Sequence, residues 1–272
     1  IHHPGAGVEV PLLHFPLLEK TGIVKEGFTT RLGGVSEGIF STMNLSFTRG
    51  DEEEAVRENY RRLASALEVD YDKFVFTDQT HTTNVRKVTA EDAGNGLTRE
   101  REFHDTDGLI TDVPGLVLST FYADCVPLYF VDPVHRAIGL SHSGWRGTVG
   151  KIGKVTVEKM EEEFGCDPAD ILGAVGPSIC QDCYEVSEDV IEEFEKVFDK
   201  KYRNSLFYRK ENGKYQLNLW MANKIIFLEA GIPEENISMP NLCTCCNPEF
   251  LFSHRASHGK RGNLGAFLGI RS

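Results

Sequence analysis

The strongest constraint on what this chain can fold into lies between residues 116 and 140. Three β-rich apolar runs, residues 116–122, 126–131 and 137–140, follow one another with only short turns between them. The first gap is Ala123-Asp124-Cys125, and Asp132-Pro133 breaks the second. Parallel neighbours need a crossover of a dozen or more residues, so gaps this short favour antiparallel pairing. Helical patterns surround this block. Residues 52–67 predict a helix, with Asp51 as N-cap, acids in the first turn and a stripe of Ala55, Val56, Leu63, Ala64 and Leu67. A second helix is expected over 148–164, with Val149, Ile152, Val155, Met160 and Phe164 inward and Gly165 and Pro168 ending it. Short strands are expected at 71–76, 85–88 and 171–175, further helices at 187–198 and 217–230, and a mixed tail over 250–270. Gly94-Asn95-Gly96 and residues 203–213 read as loops. The pattern predicts one α+β domain over 1–272, a mixed, largely antiparallel sheet with flanking helices, in which residues 1–20 are weakly constrained.

Composition narrows the function. A chain of 272 residues with 40% hydrophobic and 26% charged content buries a substantial core. The net charge of -12 argues against nucleic acid or membrane surfaces as partners, because both require a basic face. No run approaches the roughly 18–20 apolar residues of a membrane span, and Ile1-His2-His3-Pro4-Gly5 lacks the features of a secretory signal. Seven cysteines without an export signal read as reduced thiols or metal ligands, and the expected location is cytoplasmic.

Three segments set a metal-ligand side chain beside a turn: Gln79-Thr80-His81, Asp124-Cys125, and His142-Ser143-Gly144. Cys125 follows one apolar run and His142 another, so neighbouring strand ends in one sheet are expected to bring them together. Two imidazoles and a thiolate suit Zn²⁺ and leave a fourth position open for water or substrate. On spacing alone, a buried cysteine and two hydrogen-bonded histidines are the simpler reading of these residues.

A set of motifs decides between these readings. Thr29-Thr30-Arg31-Leu32-Gly33-Gly34-Val35-Ser36, Asn44-Leu45-Ser46, Gln79-Thr80-His81, Ala123-Asp124-Cys125-Val126-Pro127, His142-Ser143-Gly144-Trp145-Arg146-Gly147 and Gly176-Pro177-Ser178-Ile179 stand in order along the chain, followed by Cys183-Tyr184-Glu185-Val186 and Cys243-Thr244. Together they resemble the YfiH-like family, long labelled a polyphenol oxidase or laccase domain and since reassigned to purine nucleoside metabolism. The resemblance spans about residues 20 to 270. It implies zinc held by His81, Cys125 and His142, and a sandwich related to toxin-type cysteine hydrolases. It also implies phosphorolysis of adenosine, inosine and S-methyl-5′-thioadenosine, with adenosine deamination beside it. Three features depart from the family's usual pattern. Thr82 stands where glycine is common, Ser253-His254-Arg255-Ala256 replaces a Ser-Tyr-Arg-Arg tail, and Cys245 and Cys246 are additions.

Roles follow from that resemblance. Deamination requires a proton carrier near C6 of adenine, for which Asp124 is the candidate; orienting a neighbour is its other reading. Phosphorolysis requires an anion site, for which Arg31, Arg146 and Arg255 are candidates because a guanidinium fork matches phosphate. Asn44, Ser36 and Gln79 suit either ribose and base contacts or turn hydrogen bonds. Cys180-x-x-Cys183 and Cys243-x-Cys245-Cys246 are compatible with a second, structural zinc, but they are less regular than zinc-ribbon pairs, and buried thiols are the simpler reading. His2, His3, His104, His135 and His258 read as loop or exposed residues. A multicopper laccase needs several His-x-His motifs and the chain has none, so copper at the single site would be adventitious. The alternatives are a metal-free hydrolase with Cys125 as nucleophile and His142 as base, a binding protein with a structural zinc, and an editing enzyme for cell-wall precursors.

Overall fold

The computed structural model describes residues 9–239 and 241–272. The three apolar runs are strands, but they do not share one sheet. A five-stranded sheet runs, edge to edge, through Leu12–Leu13 (β1), Val24–Thr29 (β2), Leu264–Ile270 (β14), Val117–Tyr122 (β6) and Phe74–Phe76 (β3). A six-stranded sheet runs through Ile237–Ser238 (β13), Leu172–Val175 (β9), Val126–Asp132 (β7), Ala137–Ser143 (β8), Gly108–Thr111 (β5) and Val85–Lys87 (β4). Pairing is antiparallel through the middle of both sheets, while β3, β4 and β13 at the edges pair parallel. The chain therefore changes sheets at Ala123-Asp124-Cys125, where Asp124 takes a positive φ of 93°.

The reason is burial on both faces. In β7, Tyr129 and Val131 point into a core shared with Phe28, Leu118 and Leu268 of the opposite sheet. Leu128 and Phe130 point the other way, into a core with the helices Ile152–Phe164 (α4), Glu188–Val197 (α5) and Leu219–Glu229 (α7). The outer face of the five-stranded sheet is covered by Glu53–Leu67 (α2), through Val56, Tyr60, Leu63 and Ala64 against Phe74 and Phe267. A strand covered on both sides reads as a continuous apolar run, and periodicity cannot show which sheet it joins. The result is a mixed α/β sandwich of four layers: helix, sheet, sheet, helices.

Several boundaries differ from the sequence reading. The helix expected over 148–164 is two, Trp145–Val149 (α3) and α4, because Lys151 adopts a left-handed φ of 55° after Gly150. Residues 203–213 are not simply a loop. They contain Arg203–Leu206 (α6) and Phe207–Arg209 (β11), which pairs with Tyr215–Leu217 (β12) and, through it, Glu185–Val186 (β10). The short helices Pro16–Glu19 (α1) and His254–Ser257 (α8) complete the set. Asp51 accepts from the N–H of Glu52 and from the side-chain amide of Asn44, and does not cap α2 in the expected way.

Candidate metal centre and its cavity

The two sheets meet at the seam where the three expected ligands converge. His81 lies in the loop between β3 and β4, Cys125 at the crossover from β6 to β7, and His142 on β8 opposite Pro127. Their ligand atoms lie within 4.8 Å of one another, and the two imidazoles meet edge to face at 5.0 Å. Backbone closeness is part of the site. A Cβ on Gly144 would stand 2.9 Å from His81 Cδ2 and 3.2 Å from Cys125 Sγ, so only glycine fits there.

A residue that the sequence reading passed over organises both histidines. Asp107, fully buried just before β5, accepts from His142 Nδ1 at 2.8 Å and from the backbone N–H of His81 at 3.1 Å through one oxygen. Its other oxygen accepts from the N–H groups of Thr80 and Thr82 at 3.0 and 2.9 Å, and from Thr82 Oγ1 at 3.1 Å. Thr82, the departure from the usual glycine, thus adds a donor to this carboxylate. With Nδ1 engaged, His142 has Nε2 free to face Cys125, the carboxylate–histidine arrangement common behind metal ligands. Burial opposes ionisation of Asp107, but the His142 hydrogen bond and charge and the Thr82 and Thr80 N–H groups outweigh it, holding the carboxyl below its ordinary range. Burial likewise disfavours a Cys125 thiolate, yet the charge and hydrogen bond of His142, with His81, bring the thiol down to about 6. His142 is raised in turn to about 9, as Cys125 and Asp107 overcome the cost of burial. A thiolate held between two imidazoles is the form that binds metal, and the donor set fits zinc.

The other expected site residues are placed differently. Asp124 accepts from Thr244 Oγ1 and from the Arg255 N–H, each at 2.7 Å. Both its oxygens are engaged behind the crossover, and it does not line the cavity beside the triad. Arg31 is committed to the carbonyls of Ser41 and Pro248, over the Phe252 ring. Arg255 clamps the carbonyls of Cys183 and Glu185. Arg146 is exposed and stacks on Trp145, 4.2 Å from the ring centre. None of these arginines lines the cavity beside the triad. Asn44 is fully buried and bonded to Ser46, Asp51 and Asn263, and Ser36 accepts from Asn59. Gln79 does line the cavity, but its amide is taken up by Thr77 and both backbone groups of Phe121. His104, His135 and His258 are exposed as expected; His2 and His3 fall outside the described residues.

The cavity measures about 390 Å³, and His81, Cys125 and His142 form part of its wall. Its cationic residues are Arg49, Arg101 and Arg261, none of which the motifs marked. The Nε atoms of Arg101 and Arg261 are buried without a hydrogen-bond partner. Burial, and then the neighbouring Arg49 charge, lower Arg261 to about 10. Arg101 pairs with Asp78 of the same wall and Arg49 is exposed, and three guanidiniums against that one carboxylate suit an incoming anion. Phe47, Phe76, Phe121 and Tyr122 supply an aromatic wall, with Phe76 and Phe121 edge to face at 4.9 Å.

The fold and the site define a class: an α/β sandwich with one imidazole–thiolate–imidazole triad at the seam of its sheets. The chain belongs to the family described as multi-copper polyphenol oxidoreductase laccase, which matches residues 25–271. Among its relatives is purine nucleoside phosphorylase YlmD of Bacillus subtilis, 36% identical over 90% of this chain and 88% of the relative. Another is adenosine deaminase RL5 from an unknown prokaryotic organism, 35% identical over 88% of this chain and 93% of the relative. The solved structure of the hypothetical protein YfiH from Bacillus licheniformis superposes with a TM-score of 0.87 at 37% identity, covering 91% of this chain and 93% of the other. The motif-based resemblance to the YfiH-like family therefore holds. Among the described residues, no helix is long and apolar enough to cross a membrane.

Proposed function

We propose that this chain is a cytoplasmic, zinc-dependent purine nucleoside enzyme. It would cleave adenosine, inosine and S-methyl-5′-thioadenosine with phosphate, and deaminate adenosine. The observation that carries the reading is the joining, in one cavity, of the His81–Cys125–His142 triad, three arginines and an aromatic wall. The names of the relatives supply the substrate class. His81, Cys125 and His142 would hold the zinc, which supplies Lewis acidity when bound. The aromatic wall receives the base, and Arg49, Arg101 and Arg261 hold the phosphate against the ribose. A phosphate oxygen bonds to C1′ as the C1′–N9 bond breaks, and the electron pair leaves with the base, which takes up a proton. In deamination water adds to C6 and ammonia leaves. Asp107 keeps His142 in one tautomer throughout.

The test is zinc content together with turnover of inosine, with and without phosphate, in wild type and Cys125→Ala. One zinc bound at the triad and phosphate-dependent release of hypoxanthine and ribose 1-phosphate, both abolished in Cys125→Ala, are expected. Zinc without nucleoside turnover would overturn the substrate assignment.

The Asp107–His142–Cys125 alignment favours one second reading, a metal-free cysteine hydrolase of the toxin-related kind, with His142 as base. His81 separates the two. His81→Ala would abolish zinc binding and phosphorolysis under the first reading, and spare thiol-dependent hydrolysis under the second.

A further inference from the structure

Away from the triad, the chain gathers four more cysteines. The turn Cys180–Cys183 and the turn Cys243–Cys246, distant in sequence, are brought face to face by a parallel bridge between Ser178 and Cys243. Each turn is a Cys-x-x-Cys pair once Cys245 is set aside, so the spacing is more regular than the sequence alone suggested. The four sulphurs lie within 4.8 Å of one another, with Cys180 to Cys246 at 3.9 Å and Cys183 to Cys246 at 3.4 Å. A disulfide requires about 2.05 Å. Four thiolates around a tetrahedral ion with metal–sulphur distances of about 2.3 Å stand about 3.8 Å apart, inside the range found here. The backbone is arranged for thiolate as well: the N–H groups of Cys180 and Cys246 both point at Cys243 Sγ, at 3.2 and 3.4 Å.

We propose that Cys180, Cys183, Cys243 and Cys246 form a second metal site, a closed tetrathiolate for a thiophilic divalent cation such as Zn²⁺. All four protein ligands are present, so no position is left for substrate and the site is structural. Burial raises the Cys180 thiol to about 11, and Cys183 also rises through burial and the surrounding sulphurs. Against burial, the Cys180 and Cys246 N–H donors lower Cys243 instead, and a cation would offset the burial cost left on Cys180 and Cys183. The site's position gives it a role. Ile179 donates its N–H to the Asp124 carbonyl, Thr244 donates Oγ1 to the Asp124 carboxylate, and Arg255 ties the carbonyl of Cys183 to the same region. The cation would staple together the two loops that hold the crossover carrying Cys125, and so position the first site from behind.

The experiment is elemental analysis of the full chain, purified under reducing conditions, in wild type, Cys125→Ala and Cys246→Ser. Cys125→Ala is expected to retain one zinc per chain, and Cys246→Ser to lose one relative to wild type. Cobalt substitution of Cys125→Ala would give an intense sulphur-to-cobalt charge-transfer band and the visible spectrum of tetrahedral cobalt. If Cys246→Ser does not fold, mercurial titration of Cys125→Ala in the presence of a chelating dye replaces it, with zinc released as four thiols are consumed. Metal-free Cys125→Ala would overturn the proposal, as would an intact mass showing a disulfide in its place. Because the readouts that would overturn the proposal use a chain without Cys125, failure of the first metal site does not disturb this test.

Discussion

Replacing Asp107 by asparagine tests whether one buried carboxylate orients the proposed metal centre. Its two oxygens accept five hydrogen bonds, two on one side from His81 N–H and His142 Nδ1, and three on the other from Thr80 and Thr82. Asparagine has one oxygen. The least costly placement keeps that oxygen on the three threonine donors and turns the NH₂ toward the histidines. The His81 N–H then loses a charged acceptor, which costs about 1.5–3 kcal/mol. His142 has a different way out: its Nδ1 can accept from the new NH₂ if the proton moves to Nε2. That tautomer removes the lone pair a metal needs, so the cost falls on metal affinity, by roughly 10–100-fold. The metal-free variant should melt several degrees lower, at about 2–4 °C per kcal/mol for a chain of this size class. A melt of the apo protein and zinc competition against a chelating dye measure the two parts separately. Zinc affinity within about two-fold of wild type would refute the orienting role, whatever happened to the melting temperature.

Three further outcomes follow from the site. Gly144→Ala places a methyl 2.9 Å from His81 and should abolish zinc binding at the triad while the far-ultraviolet spectrum stays native; an unchanged zinc content would show that the ligands do not close on the backbone as described. Arg261→Met should raise the phosphate KM by about 10–100-fold, the worth of charged hydrogen bonds, and leave adenosine deamination nearly unchanged; equal loss of both activities would count against an anion subsite. In metal-free protein, Cys125 alkylation by iodoacetamide should rise with pH through a midpoint of about 6, since only the thiolate attacks. Removing His142 should move that midpoint upward, and a wild-type midpoint near the ordinary thiol value of 9.0 would refute the ion pair.

The convergence of His81, Cys125 and His142 was legible in the sequence and its surroundings were not. His81, Cys125 and His142 stand in motifs, and the structure brings them to one point. The expectation that neighbouring strand ends of one sheet bring Cys125 and His142 together holds, since Cys125 opens β7 and His142 sits opposite Pro127 on β8, but the run before Cys125, β6, belongs to the opposite sheet. Both β6 and β7 are buried along almost their whole length, and a run buried on both faces does not announce its partner. Asp107 was missed because it ends the polar stretch His104-Asp105-Thr106 and leads into a strand, β5, of only four residues. Arg49, Arg101 and Arg261 sit on polar loops whose meeting only the tertiary fold determines. The second cysteine cluster was visible as two pairs, but sequence separation hid that they face each other.

The motif residues whose polar groups are taken up by the protein itself explain how the cavity is built. Asn44 accepts from the N–H groups of Ser46 at 3.0 Å and Asn263 at 2.9 Å, fastening the loops that carry Arg49 and Arg261. Arg31 ties the stretch at Ser41 to the one at Pro248, and Gln79 binds the backbone of Phe121 beside the triad. Each is a buried or half-buried polar side chain with its hydrogen bonds directed to backbone, the arrangement that gives irregular loops one conformation. The signatures therefore mark a frame. Chemistry that needs a cation cluster beside a metal triad can be supplied by loop residues of no particular pattern, provided that frame holds them. Substituting a frame residue such as Asn44 should then disturb phosphate and base binding together, whereas substituting Arg261 disturbs phosphate alone. That difference separates residues that touch substrate from residues that place the ones that do.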